Sequence, residues 1–220
     1  MRGTKIDMKH KAFTNIIAHS TRVPEKTVSM FARNLKSAGL LTSGARGVNA
    51  PEMTVLDLTR MATALCATDR PSDAVEMLNR YRVARSTKSA TIQAGKRDVE
   101  IPKGTDLEDL LSNLLDLPFS HLRKLNLCLF IHWNRLEAEL LIGDTLIIFK
   151  AKLTDDEEDS QARGSFPGIS TTRSLGSHEL IEMALPFYLE KQDGTTWEDM
   201  TASGTAAKVA ERHIFGVKDE

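Results

Sequence analysis

The spacing of apolar residues changes near Pro118, and this change limits the folds that the sequence can adopt. Before Pro118, in stretches such as 28–35 and 107–115, apolar residues recur every three or four positions, which predicts helices. After it, residues 125–131 alternate between strongly apolar and other side chains, which predicts a strand. The sequence therefore predicts an α+β fold, with an all-α N-terminal domain followed by a small α+β domain built on an antiparallel sheet.

Two short helices are predicted close to the N-terminus. The first covers Ala12–Ser20, and Thr21–Val23 breaks its pattern. The second covers Pro24–Ala38, because proline is favoured at a first helical position and Gly39 follows where a left-handed C-cap belongs. Two helices joined by a turn of three or four residues form a helix-turn-helix arrangement.

Three further helix starts are predicted from residues that can cap a helix. Thr54–Asp57 is a capping box before a helix that ends near Ala67, and Ser72 is placed to cap a helix that reaches Tyr81. Thr105–Glu108 is a second capping box. We expect the apolar residues of the two middle helices to complete a small core; the alternative is that Met61, Leu65, Met77 and Leu78 line a contact between two copies of the chain.

The second half of the chain combines strands with one closing helix. Strands are predicted over 125–132, 137–142, 145–153 and 169–173, and a helix over Ser177–Glu190. Gly143-Asp144 forms the tight turn of a hairpin. We divide the chain accordingly into a helix-turn-helix domain (1–82), a basic polar linker (83–104), an α+β domain (105–190) and a weakly ordered tail (191–220). Within the linker, a short strand is predicted at Asp98–Ile101.

Charge is distributed unevenly along the chain. Residues 1–50 contain nine Lys and Arg against two Asp and Glu, whereas residues 101–220 contain 12 basic and 21 acidic residues. The formal net charge of −1 therefore hides a basic N-terminal end. Such a split is typical of a protein that binds a polyanion at one end, although a solvated basic face without a partner gives the same composition.

The predicted helix Pro24–Ala38 presents polar residues opposite its apolar stripe, and no acidic residue occurs between Glu25 and Glu52. Arginine is suited to the paired acceptors of guanine, and asparagine to the donor and acceptor of adenine. We therefore predict that this helix and its surroundings contact double-stranded DNA. The predicted DNA-binding residues are Arg22, Lys26, Thr27, Met30, Arg33, Asn34, Lys36, Ser37, Arg46 and Asn49.

The segment Arg33-Asn-Leu-Lys-Ser-Ala-Gly-Leu-Leu41, a glycine-flanked Arg46 and the helix opening at Met53-Thr54 resemble winged helix-turn-helix proteins of bacterial and temperate-phage type. The resemblance covers roughly residues 10–80. It implies DNA binding, with Arg46 in a wing that enters the minor groove or contacts phosphate. Ala50-Pro51 interrupts the second wing strand, so the wing could instead be an ordinary loop.

Signals for catalysis or for a metal site are few. Phosphate-binding loops, nucleophile elbows and zinc-protease helices each have a characteristic motif, and the chain contains none of the three. The acidic run 155–159 is more typical of a solvated loop than of a metal site. His132-Trp133 is more typical of a packed tryptophan beside a surface imidazole than of a ligand pocket. Cys66 and Cys128 lack nearby partners. We expect no enzyme, no cofactor, no metal and no membrane span, and a cytoplasmic location.

These features together predict a sequence-specific double-stranded DNA-binding protein, a transcriptional regulator of phage or mobile-element origin. Its C-terminal domain would mediate self-association, as a homodimer or a higher oligomer, or would bind a partner protein. The alternative is a phage DNA-packaging adaptor that resembles a small terminase subunit. These adaptors also combine an N-terminal helix-turn-helix with an oligomerising region.

Overall fold

The fold is described from a computed structural model, over residues 8–44, 50–94, 97–117, 119–133, 135–151 and 172–187. Four helices come first, at α1 (His10–Thr21), α2 (Glu25–Ser37), α3 (Val55–Ala67) and α4 (Ala74–Arg82). They lie where the sequence predicts helices. In the described residues three more helices follow, at α5 (Leu107–Leu115), α6 (Phe119–Leu122) and α7 (Ser177–Ala184), and a 3₁₀ turn, Leu185–Phe187, succeeds the last.

The end of α2 has the geometry that its glycine predicts. Gly39 adopts a φ of +71°, which L-residues with a side chain rarely accept. The Leu40 N–H donates to the Leu35 carbonyl at 2.9 Å, and the Gly39 N–H donates to the Lys36 carbonyl at 3.0 Å. These two bonds form a Schellman motif, which satisfies carbonyls at the end of the helix and fixes the direction of the chain beyond it.

The capping box at the start of α3 is also confirmed. The Asp57 N–H donates to the Thr54 hydroxyl at 3.2 Å, and the Thr54 N–H donates to the Asp57 carboxylate at 2.7 Å. The second oxygen of that carboxylate accepts the Thr42 N–H at 2.7 Å. Asp57 is buried, and it therefore attaches the chain that leaves α2 to the first turn of α3.

The two other predicted caps are wrong, because neither Ser72 nor Thr105 occupies the N-cap position of its helix. The Ser72 hydroxyl donates to the Asp73 carboxylate at 2.7 Å within a 3₁₀ turn, Pro71–Asp73, and α4 begins only after that turn. The Thr105 hydroxyl donates to the Pro102 carbonyl at 2.8 Å. Helix α5 begins two residues later than Thr105, and its N-cap residue, Asp106, makes no capping bond through its side chain.

Within the part of the chain that the structure describes, seven strands form two antiparallel sheets. The strands are β1 (Arg85–Ser86), β2 (Ala90–Ala94), β3 (Arg97–Ile101), β4 (Leu127–His132), β5 (Glu137–Ile142), β6 (Thr145–Lys150) and β7 (Thr172–Leu175). The larger sheet has the order β1-β6-β5-β4-β7, and β2 pairs with β3 alone as a hairpin. The α+β class, the position of β4 and the β5–β6 hairpin agree with the sequence prediction.

Residues 83–104, predicted as a polar linker with one short strand at Asp98–Ile101, hold the first three strands: β3 (Arg97–Ile101) agrees with that prediction, and β1 and β2 were not predicted. Strand β1 pairs with β6, and Ser86 in it is buried. The Ser86 hydroxyl donates to the Pro102 carbonyl at 3.0 Å and accepts the Thr105 N–H at 3.1 Å. Residues 85–86 are polar, so the spacing of apolar residues does not predict a strand there. Backbone and hydroxyl hydrogen bonds, which apolar spacing does not reveal, attach this segment to its neighbours.

Several predicted element ends shift. Strand β4 begins at Leu127 rather than at 125, and β6 ends at Lys150 rather than at 153. Strand β7 begins at Thr172 rather than at 169, and residues 169–171 lie outside the described residues. Helix α7 ends at Ala184, before the 3₁₀ turn that contains Pro186, a residue without a backbone N–H to donate. Residues 188–190 of the predicted helix, and the predicted tail 191–220, are outside the described part of the chain.

One continuous core connects the helices of residues 1–82 to the sheet. Helix α3 lies against α4, α5, α7 and β7, and α1 lies against α7. Met61, Leu65 and Leu78 are buried in this core and Met77 packs against it, as expected for core residues. The inward side chains of β4, Leu127, Leu129 and Ile131, are fully buried on the same side. In the described residues no helix is long and apolar enough to cross a membrane.

Candidate nucleic-acid interface

Helix α2 has one buried face and one open face. Val28, Phe31, Ala32 and Leu35 are in the core. On the opposite side Lys26, Met30, Arg33 and Ser37 are exposed, at the spacing i, i+4, i+7 and i+11 that aligns side chains along a helix. We call these four residues the α2 row. Met30 is 46% exposed, which is unusual for a large apolar side chain and leaves it available for a contact outside the chain.

Arg22 lies just before this helix and is exposed. It is the C-cap of α1, with a φ of +56°, and its N–H donates to the His19 carbonyl at 3.3 Å. Only Val23 and Pro24 separate it from α2, since α2 begins at Glu25. The structure therefore brings the Arg22 guanidinium to the same end of α2 as Lys26.

Asn34 has a hydrogen-bond partner within the chain. Its side-chain amide donates to the Pro71 carbonyl at 2.5 Å, and the residue is partly buried. The 3₁₀ turn Pro71–Asp73 lies against α2 at this point. The bond uses one of the two amide N–H groups and holds the side chain against this turn, so a bidentate contact with adenine would have to be made from that position by the remaining N–H and the amide oxygen. The sequence could not reveal the bond, because its acceptor is a backbone carbonyl 37 residues away.

Thr27 and Lys36 lie on the flanks of the helix and are partly buried. Lys36 is close enough to His10 for its charge to act on that imidazole. Burial, and to a smaller extent the positive charge of Lys36, lower the pKa of His10 below its ordinary value. The sequence reasoning missed His10, since only the packing of α1 against α2 brings it near Lys36.

The charges of α2 itself are mostly positive. Lys26, Arg33 and Lys36 oppose a single carboxylate, Glu25, in the first turn. When the side-chain nitrogen of Asn15 faces Glu25, the Asn15 amide donates to the Glu25 carboxylate at 3.0 Å. A carboxylate at the N-terminus of a helix is favoured by the helix dipole, so Glu25 has a structural explanation that does not depend on a ligand.

The predicted wing is only partly covered by the structure. Arg46 and Asn49 lie outside the described residues, as does the rest of 45–49. The flanking residues 38–44 and 50–54 are described and include no strand. They are held in place: a Cβ at Gly44 would lie 3.0 Å from the Pro51 ring, and the Lys9 ammonium donates to the Ala50 carbonyl at 2.8 Å.

The sequence offered two other candidate sites, His132-Trp133 and the acidic run 155–159. The first has a structural explanation, and the second is outside the described residues. The Trp133 indole N–H donates to the Cys66 carbonyl at 2.8 Å, and the Arg173 guanidinium lies 5.1 Å from the ring centroid. His132 beside it is not a surface residue: its side chain is 14% exposed, 2.8 Å from the Thr172 hydroxyl and 3.2 Å from the Glu139 carboxylate. The acidic run 155–159 lies outside the described residues.

The described part of the chain contains no group of three or more His, Cys, Asp or Glu side chains that could hold a metal ion. Both cysteines are free thiols. Burial raises the pKa of the Cys66 thiol to about 12, which keeps it protonated and unreactive at neutral pH. Comparison with protein families, with curated proteins and with solved structures finds no match to this chain.

Proposed function

We propose that this chain is a sequence-specific double-stranded DNA-binding protein that places α2 in the major groove, and that it acts as a transcriptional regulator of phage or mobile-element origin. The observation that carries the proposal is the α2 row: two cations, a hydroxyl and an exposed methionine on one side of a helix whose other side is buried. The major groove is about 12 Å wide and admits one helix. The basic excess of residues 1–50 supports a polyanion as the ligand.

Each exposed residue is assigned a contact by its chemistry. Arg33, near the middle of the row, donates to the N7 and O6 acceptors of guanine, and Met30 contacts a thymine methyl group. Lys26 and Arg22, at the N-terminal end of α2, bind phosphate and fix the position of the helix on the duplex. In the winged form of the proposal Arg46 adds a contact in the minor groove. Asn34 is left out of the base-reading set because of its bond to Pro71.

Selection of duplexes from a random pool, followed by anisotropy titrations, tests the proposal. We expect Arg33→Ala to weaken binding to the selected duplex by about 1–3 kcal/mol and to relax base preference at one position. Arg135→Ala is the matched control, since Arg135 is exposed in the turn between β4 and β5 and is not part of α2. Failure to enrich any duplex, or equal binding by the two variants, would refute the assignment of α2.

Salt dependence tests the electrostatic part separately. Each phosphate that Lys or Arg neutralises releases condensed cations, so the affinity should fall steeply as salt rises. Lys26→Ala should reduce the slope of log affinity against log salt by about one and weaken binding to all duplexes alike. An affinity that does not depend on salt would contradict phosphate binding by Arg22 and Lys26.

We further propose that the chain binds DNA as a homodimer. One short helix contacts few base pairs, and two copies on adjacent half-sites raise affinity and specificity together. Light scattering coupled to size exclusion measures the mass directly. A dimer is the expected result, whereas a closed ring of many subunits would contradict this part of the proposal and favour a packaging adaptor.

A further inference from the structure

Helix α5 and the residue that follows it turn a row of three polar side chains to solvent. Asp109, Asn113 and Asp116 are exposed at the spacing i, i+4 and i+7, whereas the leucines of the helix are buried. We call these three residues the α5 row. In the part of the chain that the structure describes, no ion pair or side-chain hydrogen bond engages Asp109 or Asp116. The row therefore offers two carboxylates that can accept a cation from outside the chain.

An apolar groove of about 290 Å³ runs beside part of this row, between α5 and the β2–β3 hairpin. Asp109 and Asn113 border it, and Asp116 does not. Most of its wall consists of aliphatic side chains from the two elements and the turn after α5: Ile92, Val99, Ile101, Leu110, Leu114 and Leu117. An apolar side chain that approaches between Asp109 and Asn113 would therefore find an apolar surface beside it.

The α2 row has the complementary pattern. Lys26, Met30 and Arg33 repeat the spacing i, i+4 and i+7, with cations at the two ends and an exposed apolar side chain between them. Each set of three spans seven residues, or about 10.5 Å along a helix axis. Among the described residues neither Lys26 nor Arg33 forms an ion pair. Because both rows are exposed in one chain, a contact between them requires two copies.

We propose that the α2 row of one copy docks on the α5 row of a second copy when no DNA is bound, with the two helices antiparallel. This direction places Lys26 opposite Asp116 and Arg33 opposite Asp109. Met30 is four residues from Lys26, and Asn113 is three residues from Asp116, so Met30 lies between Asn113 and Asp109, where the groove begins. The attraction of the paired charges and the removal of Met30 from water both favour the contact.

A copy docked in this way cannot place α2 in the major groove, so self-association competes with DNA binding. This consequence rests on the proposed function, whereas the contact itself does not and is measured without DNA. The contact differs from that of the proposed DNA-bound homodimer, in which both α2 rows must be free.

Sedimentation velocity of the full chain without DNA tests the contact. In low salt we expect the sedimentation coefficient to rise with chain concentration. Added salt screens exposed charges and should reduce this rise. A sedimentation coefficient that stays at the monomer value across the concentration series would overturn the proposal.

Charge reversal identifies the surfaces. Two double variants, Lys26→Glu with Arg33→Glu and Asp109→Lys with Asp116→Lys, each turn two attractions into repulsions. Each should weaken self-association about tenfold. An equal mixture of the two double variants restores opposite charges across the contact and should associate at least as strongly as the unmodified chain. A mixture that associates no better than the separate variants would refute the pairing of the two rows.

A matched control separates this contact from net charge. Asp98→Lys with Asp144→Lys changes the net charge by the same amount as Asp109→Lys with Asp116→Lys, at exposed residues outside the α5 row. This control should associate as the unmodified chain does. Equal loss of association in the control and in the α5-row variant would mean that net charge is responsible and would contradict the proposal.

Met30→Ala tests the apolar part of the contact. It should weaken association, whereas the same change at Leu146, which is 49% exposed on β6, should not. Equal effects of the two changes would remove Met30 from the contact.

Competition with DNA is tested last, at chain concentrations where the unmodified chain associates. Asp109→Lys with Asp116→Lys keeps the α2 row and should bind the selected duplex more tightly than the Asp98→Lys, Asp144→Lys control. Equal affinities would contradict the competition. Lack of DNA binding by every chain would refute the proposed function and leave the contact between copies standing.

Discussion

The Arg60 guanidinium donates two hydrogen bonds to the Glu108 carboxylate, from Nε at 2.8 Å and from Nη2 at 3.0 Å, and so joins α3 to α5. Its remaining nitrogen, Nη1, donates to the Leu40 carbonyl at 3.0 Å, just beyond the end of α2. The side chains of Arg60 and Glu108 are 18% and 15% exposed. One arginine therefore fixes the chain that leaves α2 relative to both helices.

Replacement of Glu108 should lower the stability of the whole chain. Glu108→Gln removes the charge and leaves one oxygen to accept from a guanidinium that is largely shielded from water. We expect the free energy of unfolding in urea to fall by about 1–3 kcal/mol. Asp109→Asn is the control, because this neighbour is exposed and no partner is described for it; it should change the value by less than about 0.5 kcal/mol. Equal effects of the two variants would mean that the pair contributes no stability.

The bond from Asn34 to Pro71 predicts a structural rather than a base-reading effect for Asn34. Asn34→Ala should lower the free energy of unfolding by about 0.5–1.5 kcal/mol, because the Pro71 carbonyl loses its donor. Base preference in the duplex selection should stay as in the unmodified chain, in contrast to Arg33→Ala. A variant that unfolds normally but accepts a different base at one position would restore Asn34 to the reading set.

The sequence predicts those parts of the fold whose cause is local. Periodicity places the four N-terminal helices and the β4–β6 strands, the glycine at position 39 predicts the end of α2, and Thr54–Asp57 predicts the start of α3. In each of these cases the residues that decide the structure are a few positions apart. The α2 row follows in the same way, since a helix with an apolar stripe must turn its opposite side to solvent.

Long-range contacts account for what the sequence does not predict. The strand at Arg85–Ser86 exists because β6 offers a free edge, and Asn34 is partly buried because a carbonyl 37 residues away accepts its amide proton. The apolar groove between α5 and the β2–β3 hairpin depends on a hairpin and a helix that meet only in the folded chain. Residues 83–104 are polar and basic enough to suggest a linker, so composition alone misleads at that point.

The conformation of Arg22 predicts that its contributions to stability and to DNA binding can be separated. Its φ of +56° is disfavoured by roughly 1–2 kcal/mol for a residue with a Cβ, whereas glycine adopts it freely and loses about 0.5–1 kcal/mol in chain entropy. Arg22→Gly should therefore keep the free energy of unfolding or raise it by up to about 1 kcal/mol, and should weaken DNA binding. Arg22→Lys retains the cation and should keep most of the affinity. A less stable Arg22→Gly chain would contradict this explanation.

The lowered pKa of His10 predicts that the chain becomes less stable as the pH falls. Below the ordinary histidine pKa of about 6.5, the unfolded chain takes up a proton at position 10 that the folded chain, with its lower pKa, does not. The free energy of unfolding contributed by this group is therefore full above that pH and is lost as the pH falls through the folded pKa. His10→Gln should reduce the difference between the free energies of urea unfolding at pH 7.5 and at pH 5. The variant Lys36→Met tests the contribution of the neighbouring charge. Loss of that positive charge should raise the pKa of His10 in an NMR titration. The larger effect of burial should still keep this pKa below the ordinary value. An unchanged His10 titration in Lys36→Met would mean that burial alone lowers the pKa and that the two side chains do not interact across the α1–α2 contact.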